Sequence, residues 1–237
     1  MSSTTPTPPL PPPALSLTER RKAETRMEIA HAAAGLFVRQ GLRTTRAEDI
    51  ARAAGVAPRT FYRYFPGKEE AIGPLYAAGA QRWVEAVRTA PAGVSLPRVL
   101  EDAVRHTLTP GAGVSVASWD WVRALIRLAQ ENPALRRVWA EACQASERSL
   151  SEVLAERLTA AHDTYGACDT DDTYGAYDTG DIAARGRLGF AAAVASAAVR
   201  TAMENWAAGD GPAEGPQGPA ELAVANLAAL RDFPWGD

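Results

Sequence analysis

Arg59 and Arg63 stand four residues apart in the segment PRTFYRYF (residues 58–65), with Tyr62 and Tyr64 beside them. Guanidinium groups at that spacing suit one chemistry well, bidentate donation to the O6 and N7 acceptors of guanine. Projected on a helix at about 100° per residue, the two arginines share one side. Tyr62 flanks this stripe on one edge, and Thr60 and Tyr64 flank it on the other. Hydroxyls at such edges bond phosphates. Phe61 and Phe65, also four apart, fall on the opposite side and require a core. A helix of this build fits a major groove while its back is held by the protein. The plain alternative is a solvated face with two stray arginines. Flanking tyrosines and the turn chemistry upstream argue against it.

The preceding residues form the elements that position this helix. Thr45 followed three residues later by Glu48 predicts a capping box at a helix start. The helix that follows places Ile50, Ala51 and Ala54 on one side. Gly55 sits where a helix ends in a left-handed residue, which glycine adopts cheaply. Val56 plugs the gap between the two helices, Pro58 suits a first helical turn, and Pro66-Gly67 stops the second helix. The sum is a helix-turn-helix over residues 44–68.

Residues 25–68 resemble the DNA-binding domain of TetR-family transcriptional regulators. The matching features are FVRQGLRTT at the end of the first helix (37–45), IARAAGVAPRTFYRYF (50–65) and the lysine after the turn, Lys68. The resemblance implies phosphate contacts from Thr45, Tyr62, Tyr64 and Lys68. It implies base-facing roles for Arg59, Thr60 and Arg63, and a backbone or base-edge contact for Arg46. One departure is Ala57, where the family carries Ser or Thr. The missing cap bond costs about 1 kcal/mol, and Pro58 offsets part of that by fixing φ.

The formal net charge is −3, which taken alone speaks against nucleic acid. Its distribution reverses that. Residues 18–68 hold 11 basic and 5 acidic residues, a net +6; residues 1–17 are uncharged, so the remainder carries −9. A basic head on an acidic body is what a DNA reader with a separate sensing part requires.

The elements read as all-α, about nine helices with no convincing strand. The first runs from 17 or 18 to 40, with Ile29, Ala33, Leu36 and Phe37 on its inner face. Its basic opening, ERRKAETR, reaches the DNA backbone or is simply solvated. A long helix is expected over 68–89, kinked at Gly73-Pro74 unless Pro74 merely occupies an early turn. Others are expected near 96–109, 116–130, 133–161, 181–208 and 219–231. Val116, Trp119, Val122 and Ile126 form one apolar stripe, and Leu150, Val153, Leu154 and Leu158 another. Three parts follow: a Pro-rich disordered tail at 1–17, a three-helix DNA-binding domain at 18–67, and a helical ligand-binding and dimerisation domain at 68–237.

The tryptophans all lie outside the head. Apolar-ligand pockets are aromatic with a few polar anchors. Trp83, Trp119 and Trp139 are therefore expected to line a pocket for a small-molecule effector, with His106, Arg123 and Arg127 as anchors; core filling is the competing role for each tryptophan. The segment RLAQENPALRRVWAE (127–141) resembles the C-terminal domain of the mycofactocin-type branch of the same family. A tandem near-repeat, DTYGACDTD then DTYGAYDTG (163–180), is expected to be a flexible loop. Its carboxylates lack the EF-hand pattern.

No cofactor, metal site or catalytic triad is suggested: His31, His106 and His162 are scattered, and Cys143 and Cys168 make no disulfide framework. With no signal peptide and no run of 18 apolar residues, a cytoplasmic protein with no membrane partner is expected. The resemblance implies a homodimer through the last two helices, on a palindromic double-stranded operator. The expected function is ligand-responsive repression. The alternatives are an activator, or a helical small-molecule-binding protein or enzyme that has lost DNA binding.

Overall fold

The computed structural model describes residues 16–111, 118–165 and 179–230. Among them are nine α-helices: α1 (Leu17–Gln40), α2 (Ala47–Ala53), α3 (Pro58–Tyr64), α4 (Gly73–Arg88), α5 (Leu96–Leu108), α6 (Trp119–Glu131), α7 (Pro133–Tyr165), α8 (Thr179–Ala208) and α9 (Pro219–Ala228). A 3-10 turn, Glu70–Ile72, precedes α4. The Pro-rich segment 1–15 and residues 166–178 of the near-repeat lie outside the described residues.

Local chemistry sets the boundaries of the head. α1 opens on a capping box: the Glu19 N–H donates to Ser16 Oγ at 3.2 Å, and the Ser16 N–H donates back to Glu19 Oε2 at 2.9 Å. The Ser16 hydroxyl, donating to Glu19 Oε2 at 2.8 Å, and then the Ser16 N–H hold the Glu19 carboxyl below its ordinary value. α1 ends at Gly41 (φ 85°), whose N–H reaches Phe37 O at 3.0 Å. Gly55 has φ 69° after α2, a conformation that disfavours any residue with a Cβ. The chain leaves α3 through an extended Phe65 (φ −139°, ψ 134°), as a residue before proline prefers.

Two expectations are corrected here. The α2 cap is not the Thr45–Glu48 pair. Arg46 occupies the N-cap, and its N–H donates to Asp49 Oδ2 at 3.2 Å, one residue later than expected. Nor is there a kinked helix over 68–89. Pro74 stands in the first turn of α4, where its missing N–H is harmless, and the 3-10 turn precedes it.

Apolar packing runs across the expected boundary at residue 68. One apolar cluster contains Ile29, Phe37, Ile50, Phe61 and Phe65 of the head together with Tyr76, Leu125, Leu135 and Val138 of α4, α6 and α7. The head core is thus closed by the body. A second cluster joins α4, α5, α7, α8 and α9 around Val87, Leu100, Leu150 and Leu154. Alanines 191, 192, 195, 198 and 202 let α8 approach its neighbours closely. A third, smaller cluster centres on Trp119 and Trp206, which meet edge to face at 5.4 Å.

Candidate DNA interface and effector cavity

α3 is held from behind and open in front. Phe61 is 0% and Phe65 2% exposed, packed in the head core, whereas Arg59 and Arg63 are exposed. Pro58 opens the helix and Ala57 offers no side-chain cap; the Ala57 carbonyl instead accepts from the Thr60 and Phe61 N–H groups at 2.8 and 3.1 Å. The Arg63 guanidinium lies 5.3 Å from the Tyr64 ring, near enough for a cation–π contact that steadies it. Tyr64 and Thr60 are half-buried. Tyr62 is 52% exposed, and its hydroxyl donates to Glu48 Oε1 at 3.3 Å, tying α3 to α2. Partial desolvation and then the Glu48 carboxylate push the Tyr62 phenol above its ordinary value, so it stays a neutral donor. Arg46 is exposed at the start of α2.

Thr45 and Lys68 sit differently from expectation. Thr45 is 0% exposed. Its hydroxyl donates to Gly41 O at 2.8 Å and accepts from Gln40 Nε2 at 3.2 Å, which leaves nothing to offer a phosphate. Lys68 is half-buried, and its ammonium donates to Leu42 O and Thr45 O, both at 2.8 Å. It closes the loop between α1 and α2 from within. The family motif matched the residue types, but the type does not reveal which carbonyls a lysine reaches 23 and 26 residues back. Arg26, the last residue of the basic opening ERRKAETR, instead stacks on Phe65 at 4.9 Å and braces the end of α3.

This placement yields a prediction. Lys68→Met leaves two half-buried carbonyls without a charged donor, at a cost of about 1.5–3 kcal/mol of stability. Urea denaturation checks it. Unchanged stability with a lower affinity for every DNA sequence would restore the plain phosphate role.

In the body, a cavity of about 160 Å³ lies between α4, α5, α6, α7 and α8. Trp83, Trp119 and Trp139 all line it, as do Tyr76, Cys143, Ser196 and Arg200. The three expected anchors do not. His106 is exposed on α5. Arg123 stacks on Trp206 at 4.3 Å and donates to Gly211 O. Arg127 donates through Nη2 to Gly209 O and to Asp210 Oδ1, both at 2.7 Å. That bond, with the arginine's charge, holds the Asp210 carboxyl below its ordinary value. The two arginines clasp the loop between α8 and α9 instead. The reason is helical phase. Trp119, Val122, Leu125 and Ile126 present one side of α6 to the cavity, and Arg123 and Arg127 follow one position later on the next side.

Tyr76 joins the cavity to the head. Its hydroxyl donates to Leu125 O at 2.8 Å, and its ring meets Trp139 edge to face at 5.1 Å. Burial pushes its phenol well above the ordinary range. Tyr76 and Leu125 both line the cavity and belong to the head's apolar cluster. Burial likewise pushes the Cys143 thiol up to about 12, so it stays protonated. Among the described residues no group of three or more His, Cys, Asp or Glu is placed to hold a metal ion. No helix among them is long and apolar enough to cross a membrane.

Residues 29–71 match the family model of bacterial regulatory proteins of the tetR family. The HTH-type transcriptional regulator TcmR of Streptomyces glaucescens is 31% identical over 144 residues, 60% of this chain. The match spans 63% of that relative's length. Among solved structures, the fatty acid degradation regulator FadR from Bacillus halodurans superposes with a TM-score of 0.50 at 20% identity, over 87% of this chain and 93% of that one. FadR from Thermus thermophilus, solved in complex with lauroyl-CoA, gives 0.48 at 24% identity, over 86% and 92%.

Proposed function

We propose that this chain, a tetR-family protein by its match over residues 29–71, is a sequence-specific DNA-binding transcriptional repressor that releases DNA when a small molecule enters its body. The observation that carries the reading is the α3 face. Arg59 and Arg63 are exposed four residues apart, on a helix whose other side is locked by Phe61 and Phe65. Arg59, Thr60 and Arg63 read base edges. Tyr62, Tyr64 and Arg46 bond the phosphate backbone.

One seven-residue recognition helix presents too few contacts for tight binding. Two subunits related by a two-fold axis read a palindromic operator and double the contacts. α8 and α9 form the dimer face in this reading, with close approach permitted by their alanines. The protein acts in the cytoplasm, where its operator lies.

The effector acts through the shared cluster. A molecule in the cavity presses on Tyr76 and Leu125, which also support the head. The coupling between effector and head spacing cannot exceed the ligand's differential affinity for the two states.

A mobility shift on the DNA flanking the protein's own gene tests the reading. A sequence-specific shift is expected at low salt, weakening steeply as salt rises because phosphate contacts release counterions. Equal affinity for operator and scrambled duplex would sink it in favour of a helical ligand-binding protein without DNA specificity.

A further inference from the structure

The cavity in the body has a one-sided polar chemistry. Among the described residues lining it are two arginines, Arg82 and Arg200, and no Asp, Glu, Lys or His. Glu204, outside the lining, is engaged by the Trp139 indole N–H at 2.8 Å and by Arg200 at 4.0 Å.

The lining donors divide into two groups. The Tyr76 hydroxyl is held by Leu125 O, the Thr107 hydroxyl by Ala103 O and the Trp139 N–H by Glu204. The Trp83 N–H, the Trp119 N–H and the Ser196 hydroxyl have no hydrogen-bond partner, although all three atoms are buried. Trp83 is 5% and Trp119 3% exposed. A buried N–H without an acceptor carries an uncompensated desolvation penalty, and such groups in native structures are normally matched. Here two such N–H groups and one hydroxyl belong to residues that line one cavity.

We propose that the effector is a one- or two-ring apolar molecule whose polar atoms are oxygen acceptors, and that the Trp83, Trp119 and Ser196 donors recognise those oxygens. This rests on the reading of the cavity as the effector site. The aromatic walls fit a ring, and a cavity of about 150 Å³ takes a molecule of benzene size without rearrangement. The volume of about 160 Å³ suits an effector with a body of one or two rings. A cationic amine is disfavoured, because it would meet two arginines and no carboxylate.

Isothermal titration of the full chain with three matched probes tests this: 1-tetralone, tetralin, and 1-aminotetralin, whose amine is protonated at neutral pH. The ketone is expected to bind about tenfold more tightly than the hydrocarbon, one hydrogen bond's worth, and the amine most weakly. Trp119→Phe keeps an aromatic wall and removes the N–H, so it should bring the ketone towards parity with tetralin while tetralin still binds. Ser196→Ala gives the same comparison without altering an aromatic wall. Equal binding of ketone and hydrocarbon, or tightest binding by the amine, overturns the acceptor chemistry while leaving the cavity as a ligand site. Binding by none of the three overturns the cavity reading itself and the proposal with it. Ketone preference unchanged in both variants overturns the assignment of these donors.

Discussion

Arg63→Ala lowers operator affinity by about 1–3 kcal/mol per subunit and relaxes the base preference at one position of each half-site. Arg59→Ala does the same at a neighbouring position. Both side chains are exposed, and among the described contacts neither makes an ion pair, so their removal leaves the fold alone. Binding to non-operator DNA at low salt falls much less, because the phosphate contacts remain. Titration of each variant against an operator library and against scrambled duplex checks the expectation, with circular dichroism confirming the helix content. An unchanged base preference in both variants would move the readout away from α3. The Tyr62–Glu48 bond bears on the same experiment. It holds α3 against α2, so Tyr62→Phe, which removes this tie together with a phosphate-bonding hydroxyl, weakens all sequences together and leaves the base preference unchanged.

The build of α3 and the turn before it was legible in the sequence because it depends on short-range rules. Gly55, Pro58, the Phe61/Phe65 pair and the Arg59/Arg63 pair all act within one or two helical turns, where residue type and spacing determine the outcome. The misplaced roles belong to residues whose partners are distant in the chain. Thr45 has the type of a cap, but its hydroxyl turns back to Gly41 and α2 starts one residue later. Lys68 has the type of a phosphate ligand, but carbonyls 23 and 26 residues away take its ammonium. The three tryptophans of the cavity followed from bulk and apolarity. Ser196, in an alanine-rich helix, carried no signal, and its role depends on which helices surround it. Arg123 and Arg127 missed the cavity by one position of helical phase, a distinction that composition does not hold.

Leu135→Ala lowers the temperature at which operator binding is lost without touching the DNA face, and it is the sharpest test of the shared core. Leu135 lies in the first turn of α7, is 0% exposed, and belongs to the cluster that contains Phe61 and Phe65. Truncating such a leucine costs about 2–5 kcal/mol, a large fraction of what holds a domain together. Its neighbours cannot collapse freely. Val138 packs close beside Gly73, where a Cβ would stand 3.4 Å from Val138 Cγ1, and Arg137 is bonded to Glu70 at 2.8 Å. The cavity therefore persists and weakens the seam between α7, the 3-10 turn and α1. If the head had a core of its own, ending near residue 68, this change would melt the body and spare α1–α3. With the core shared, operator affinity and helix content are lost in one transition at a lowered temperature. Thermal melts followed in parallel by circular dichroism and by fluorescence anisotropy of a labelled operator distinguish the two outcomes. Two separate transitions, with DNA binding surviving the first, would show that the head stands alone. A single lowered transition means that the residues reading DNA are held in place by the same apolar contacts that border the cavity. Tyr76 and Leu125 then couple the two sites by packing, with no separate relay required.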